Sequence, residues 1–120
     1  VLGAPVAAGL RGAAGVLDGL PATTHWVAYD HLRSYGAQPT EQRVVIEGKV
    51  ATAAGVSAGI DLALTLVDRL HGAEVAQAVQ LGIEYDPQPP HDTGAPSKAP
   101  AENRDLVSTV IRDADAGLSP

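Results

Sequence analysis

The 120-residue chain has no cysteine, no methionine and no phenylalanine. Without cysteine there can be no disulfide, no thiolate metal site and no cysteine nucleophile. Aromatic residues are scarce too, one tryptophan and three tyrosines, so any core must be filled with small aliphatic side chains. Positive charge is thin: eight Lys and Arg against fourteen Asp and Glu give a formal net charge of −6. Cations so few and scattered cannot neutralise a phosphate track, and nucleic acid is not expected as a partner. No apolar run reaches the ~20 residues of a membrane-spanning helix, and no basic-then-apolar start marks a signal peptide, so no membrane partner is expected either. What remains is 45% hydrophobic, mostly Ala, Val and Leu, and carries thirteen glycines. A core is possible, but it must offset much backbone freedom and will be modest in strength. The length fits one small domain or part of a larger one. A start at Val1 without any methionine is what part of a longer chain would show.

Patterning divides the chain into recognisable pieces. In "VLGAPVAAGLRGAAGVLDGL" the spacing predicts a small-residue helix from about Val6 to Ala14, closed by Gly15. Its interior Gly9 and Gly12 each cost about 1 kcal/mol against alanine. Gly19-Leu20-Pro21 reads as a turn and "ATTHW" as a short β-branched strand. Helical spacing follows, with Ala28, Leu32 and Tyr35 on one stripe ended by Gly36, and "AQPTEQ" reads as a polar loop. Two β-rich runs in "RVVIEGKVATAAG" flank Glu47-Gly48 as a hairpin. Ser57 is placed to cap "SAGIDLALTLVDRL", whose Ile60, Ala63, Leu64, Val67 and Leu70 form an apolar stripe, with Leu62 and Leu66 off it. A helix apolar on most sides is expected to be buried. Gly72 breaks it before "AEVAQAVQLGIEY", a second helix or a helix running into a strand. "DPQPPHDTGAPSKAP" holds five prolines and reads as an extended arm, and "AENRDLVSTVIRDADAG" as a terminal helix with Leu106, Val107, Val110 and Ile111 on one side. Strands alternating with helices favour an α/β layer architecture.

Several arrangements could carry chemistry. His25, His31, His71 and His91 are too far apart for a metal motif, no H-E-x-x-H occurs, and neither a metal nor a cofactor is expected. "GLRGAAG" lacks both the G-x-G-x-x-G pattern and a following Lys-Ser/Thr, which argues against a phosphate loop. Ser57, His25 and Asp61 compose a nucleophile triad on paper, and "GVSAG" imitates G-x-S-x-G at a strand–turn–helix. Ser57 as a helix cap is the preferred reading. His25 can be a histidine satisfied at a strand end or the acid–base member of a site.

Three separated stretches, "ATTHW", "RVVIEGKVATAAGVSAGIDLALTLVDRL" and "AQAVQLGIEYDPQPP", resemble in order and register the ThiJ/PfpI superfamily of class I glutamine amidotransferase-like proteins. Within it they are most similar to the isonitrile hydratases, over about residues 12–100. The resemblance implies a flavodoxin-like three-layer α/β sandwich, present here as its C-terminal part. Residues 1–100 would be that portion of the domain and residues 101–120 a terminal helix or tail. It further implies a cysteine on a strand-to-helix elbow, the T-T-H histidine beside it, and an acidic partner from the N-terminal half.

His25 would then be the active-site histidine, with Trp26, Gly55 and Val56 lining a pocket for a small-molecule substrate. The elbow position falls at Pro5, which offers no nucleophile and fixes φ. The resemblance thus implies a member of an enzymatic family, acting by hydration of isonitriles to N-substituted formamides, whose own chain is inactive. A cytoplasmic homodimer is expected by the same likeness. The alternative is a non-catalytic, ligand-sensing domain of the kind that precedes AraC-type helix-turn-helix regions.

Overall fold

The structure is a computed structural model that describes residues 14–118. The predicted helix from Val6 to Ala14 and the elbow position at Pro5 lie outside, or almost wholly outside, these residues. The chain divides into two compact units after Tyr85.

The first unit opens with a turn in which Gly15 and Gly19 both take left-handed φ. Strand β1, Pro21–Ala22, pairs in parallel with β2, Gln38–Pro39. Between them a 3₁₀ turn, Trp26–Ala28, runs into helix α1, Tyr29–Ser34. Gly36 ends this excursion with φ +79°, and Asp18 lies so close over it that an added Cβ would collide with the Asp18 carboxylate oxygen. Leu32 is the helix's buried residue and joins Leu17, Ala22 and Ala37 in one small core cluster.

Two expectations are corrected here. "ATTHW" contributes only Ala22 to a strand, and "AQPTEQ" is not all loop, since Gln38-Pro39 is β2. Pro39 is tolerated in this ladder because an N–H there would face away from β1, the donors to β1 being its two neighbours. The Gln38 N–H reaches Leu20 O and the Thr40 N–H reaches Ala22 O, both at 2.8 Å, after which the chain turns away. The Thr23 N–H finds a side chain instead, donating to Thr52 Oγ1 at 3.0 Å.

Strands β3, Val44–Glu47, and β4, Val50–Ala53, form the expected antiparallel hairpin, with Glu47 opposite Val50. The turn itself is Gly48-Lys49, one residue later than the sequence suggested. Gly48 has φ +58° and Lys49 is not left-handed, the signature of a type II′ turn with glycine first.

Helix α2, Ala58–His71, stops at Gly72 (φ +91°), and α3, Ala73–Gly82, packs back against it. The buried face of α2 differs from the predicted one. Ala58 and Leu62 are fully buried with Ala51 and Ala53, and Leu66 packs on them. Ile60 is 42% exposed and Leu70 74%. Apolar residues cover two faces of this helix, and periodicity alone cannot say which faces the hairpin.

Ser57 makes no side-chain cap. Its φ and ψ, −68° and −24°, are already helical, whereas a capping residue needs an extended backbone to swing its oxygen over the first turn. Its hydroxyl accepts from Arg43 Nη2 at 3.1 Å.

The second unit holds the proline arm, without helix or ladder until Ala101, and helix α4, Ala101–Leu118. Arg104 fastens the arm to the helix by donating to the carbonyls of Pro96 (3.0 Å) and Ala99 (2.7 Å). Leu106 and Val110 on the predicted stripe are 64% and 58% exposed.

Candidate active site

His25 sits just past β1, at the N-cap of the 3₁₀ turn, where a loop leaves the C-terminal end of a parallel strand. Ligands of open α/β sheets bind at such positions. Burial of Thr23 and Thr24 fixes the segment from below. Their hydroxyls have no hydrogen-bond partner among the described residues, a cost that buried polar groups seldom carry.

The imidazole is half-buried. Its Nδ1 accepts from the Val27 N–H at 3.3 Å, so the neutral ring carries its proton on Nε2. Burial pushes the pKa below the ordinary 6.5. The Val27 N–H acts in the same direction, because a protonated Nδ1 would face another donor. The ring is therefore neutral near pH 7 and offers an Nε2–H donor.

Trp26 stacks on His25 with ring centroids 5.6 Å apart and an interplanar angle of 28°. Gly55 lies on another side: a Cβ built there would meet His25 Cδ2 at 3.4 Å, ordinary contact. The structure thus brings Trp26 and Gly55 to His25. The Val56 side chain points largely to solvent, 80% exposed. His31, His71 and His91 are exposed, and among the described residues no three His, Asp or Glu side chains could hold a metal ion.

Ser57 and Asp61 share a cluster with Arg43 and Tyr85, and no histidine bonds to it among the described residues. Arg43 Nε donates to Asp61 Oδ2, and Tyr85 Oη donates to Asp61 Oδ1 at 2.6 Å. Burial raises the Asp61 pKa, but the Tyr85 hydrogen bond, the Arg43 hydrogen bond and the Arg43 charge outweigh it and hold the carboxyl below its usual value. Hydrogen bonding to Asp61 and burial push the Tyr85 phenol up. Sequence reading missed Arg43 and Tyr85, which lie inside two of the quoted stretches but match no chemical motif of their own; an arginine directly before a β-run, 18 residues ahead of a first-turn aspartate, was the available signal.

The DJ-1/PfpI family model matches residues 5–69, more than half of the chain. The chain belongs to the DJ-1/PfpI family. An isonitrile hydratase of Pseudomonas putida is 52% identical over 90 residues, covering 75% of this chain and 40% of its own length. The HTH-type transcriptional regulator CdhR of Pseudomonas aeruginosa is 41% identical over 68 residues, covering 55% of this chain and 20% of its own. The crystal structure of a ThiJ/PfpI family protein from Pseudomonas syringae matches with TM-score 0.82 at 42% identity, over 88% of this chain and 43% of that one. The chain therefore spans about two fifths or less of the length of these relatives. As a DJ-1/PfpI chain it has part of the α/β, flavodoxin-like fold that the resemblance implies.

A pH dependence follows for this DJ-1/PfpI histidine. Because its folded pKa lies below 6.5, the unfolded chain binds more protons in the interval between the two values. Stability is expected to be fully present above 6.5 and to fall as pH drops through the folded value. Urea midpoints measured across that interval should show this slope, and His25→Asn should flatten it. An unchanged slope in His25→Asn would assign the dependence to other groups.

Proposed function

We propose that this chain carries the histidine side of an isonitrile-hydratase-like active site and, with Pro5 at the nucleophile position, does not itself turn over. The family reaction adds water to an isonitrile carbon and yields an N-substituted formamide. The observation that carries the reading is His25: a neutral imidazole at a strand end, its tautomer set by Val27, its ring bounded by Trp26 and Gly55. An Nε2–H in that setting can hydrogen-bond a thiolate or steady charge that develops during addition to a carbon–nitrogen bond. The substrate is a small molecule with a compact isonitrile head. No cysteine in the chain can act as nucleophile.

The test is formamide release from an alkyl isonitrile, followed by chromatography. The unmodified chain should give background, as should Pro5→Cys alone, since the acidic partner that the family resemblance implies comes from the N-terminal half. Fusing Pro5→Cys behind the N-terminal residues of the Pseudomonas putida isonitrile hydratase should produce turnover. Sustained turnover by the unmodified chain would overturn the reading.

The likeness to CdhR favours a second reading, a ligand-sensing domain of an AraC-type regulator. That reading calls for binding without formamide release even in the fusion.

A cytoplasmic homodimer belongs to the same proposal. No helix among the described residues is long and apolar enough to cross a membrane. Leu70, Leu81 and Ile83, all in the first unit, are 74%, 80% and 56% exposed, apolar surface of the sort that association covers. Sedimentation at micromolar concentration should show a dimer, and a sharply melting monomer would exclude it.

A further inference from the structure

The cluster of Arg43, Ser57, Asp61 and Tyr85 surrounds the turn that faces His25. Arg43 holds this turn at two points three residues apart. Its carbonyl accepts the Ala54 N–H at 2.9 Å, and its Nη2 donates to Ser57 Oγ at 3.1 Å. Between the two grips lie Gly55, where an added Cβ would meet the His25 ring at 3.4 Å, and Val56. The guanidinium is aimed by Asp61, in the first turn of α2, which accepts from Arg43 Nε through one oxygen and from Tyr85 Oη through the other.

Tyr85 reaches Asp61 because the chain reverses after α3. Glu84 takes a left-handed φ of +52°, and Gln80 clamps Tyr85 by exchanging two bonds of 3.1 Å, its carbonyl accepting the Tyr85 N–H and its Nε2 donating to the Tyr85 carbonyl. A left-handed glutamate is strained, and strain of this kind persists where surrounding contacts hold it. The Arg43 and Asp61 side chains are 47% and 29% exposed, and a pair so open to water adds little to global stability. Its geometry matters more than its energy.

We propose that Arg43 is a positioning residue for His25: gripping the turn on both sides of Gly55–Val56, with Asp61 and Tyr85 fixing its guanidinium, it holds that wall against the imidazole. This deepens the reading of His25 as the active-site histidine and rests on it for any effect on turnover. The placement itself is measurable in the unmodified chain.

The experiment is NMR on the ¹⁵N-labelled 120-residue chain, reading the titration midpoint of the His25 ring and the exchange rate of the Ala54 amide. Tyr85→Phe and Arg43→Lys should each move the midpoint upward, toward 6.5, as the wall recedes and water reaches the ring. Each should also speed Ala54 exchange about tenfold, the loss expected for a hydrogen bond of ordinary strength. Ser57→Ala should do the same, and Ser57→Thr, which keeps the acceptor oxygen, should restore the parent values. Ala76→Gly, in the buried face of α3, is the control, expected to lower the melting temperature and leave the midpoint in place. An unmoved midpoint in both Tyr85→Phe and Arg43→Lys, or an equal shift in Ala76→Gly, overturns the proposal. Failure of the fusion to release formamide would remove the catalytic reading and leave these spectra unaffected.

Discussion

His25→Ala, made in the fusion that carries Pro5→Cys, is expected to lower kcat/KM for an alkyl isonitrile by about 10²–10⁴-fold, the range over which a positioned proton donor or acceptor contributes. The ring's Nδ1 is engaged by the Val27 N–H, which leaves Nε2–H as the one group able to meet the reacting atoms. Alanine removes it and leaves the strand end otherwise intact. The loss should fall on kcat with KM nearly unchanged, because a donor that acts as charge develops is felt mainly in the transition state. A pH profile adds a second readout. Protonation at Nδ1 keeps the Nε2–H but sets two donors against each other and breaks the Val27 contact that aims the ring, so the parent should lose activity as pH falls through the depressed His25 value, and the variant should lack that limb. Turnover within about tenfold of the parent, less than general acid–base catalysis supplies, would place His25 outside the mechanism.

The features that read correctly from sequence are those decided within a few residues. Glycines at 36 and 72 end α1 and α2 because each adopts a left-handed φ that other residues resist. The hairpin was legible for the same reason, and the error of one residue in its turn was settled by which residue takes positive φ. His25 enters as the active-site candidate only through the T-T-H resemblance, since a lone histidine after β-branched residues has no periodicity of its own.

What did not read correctly depends on partners far along the chain. Gln38-Pro39 becomes a strand because Leu20 and Ala22 present carbonyls to it, which no local propensity shows. Ser57 has the composition of a cap, but its backbone is already wound into the helix and its hydroxyl is claimed by Arg43, fourteen residues earlier. The shortage of large side chains makes this worse. Where alanines do much of the packing, several faces of a helix look equally apolar, and the sheet chooses among them.

That choice gives the largest expected effect on stability. Leu62 is fully buried on the face of α2 that meets Ala51 and Ala53, with Ala58 beside it. Leu62→Ala is expected to cost about 2–5 kcal/mol, toward the upper end of that range. The cost depends on how far the walls collapse: the buried ones are alanine methyls fixed directly to strand and helix backbones, and only the partly buried Val44, Ile46 and Leu66 have rotamers that can swing inward. Against a total of about 5–15 kcal/mol for a typical domain, this approaches the limit of folding. Leu62→Met, which conserves volume, should stay within about 1.5 kcal/mol and keeps the comparison readable if alanine unfolds the chain. Leu70→Ala, on the stripe that the sequence favoured but 74% exposed, should stay within about 0.5 kcal/mol. Urea titrations decide the matter: the midpoint should fall steeply for Leu62→Ala and barely for Leu70→Ala, with the slope unchanged in both. A larger shift for Leu70→Ala than for Leu62→Ala would mean that α2 lies on the hairpin by its Ile60–Leu70 face, and the turn that sets Gly55 against His25 would have to be redrawn with it.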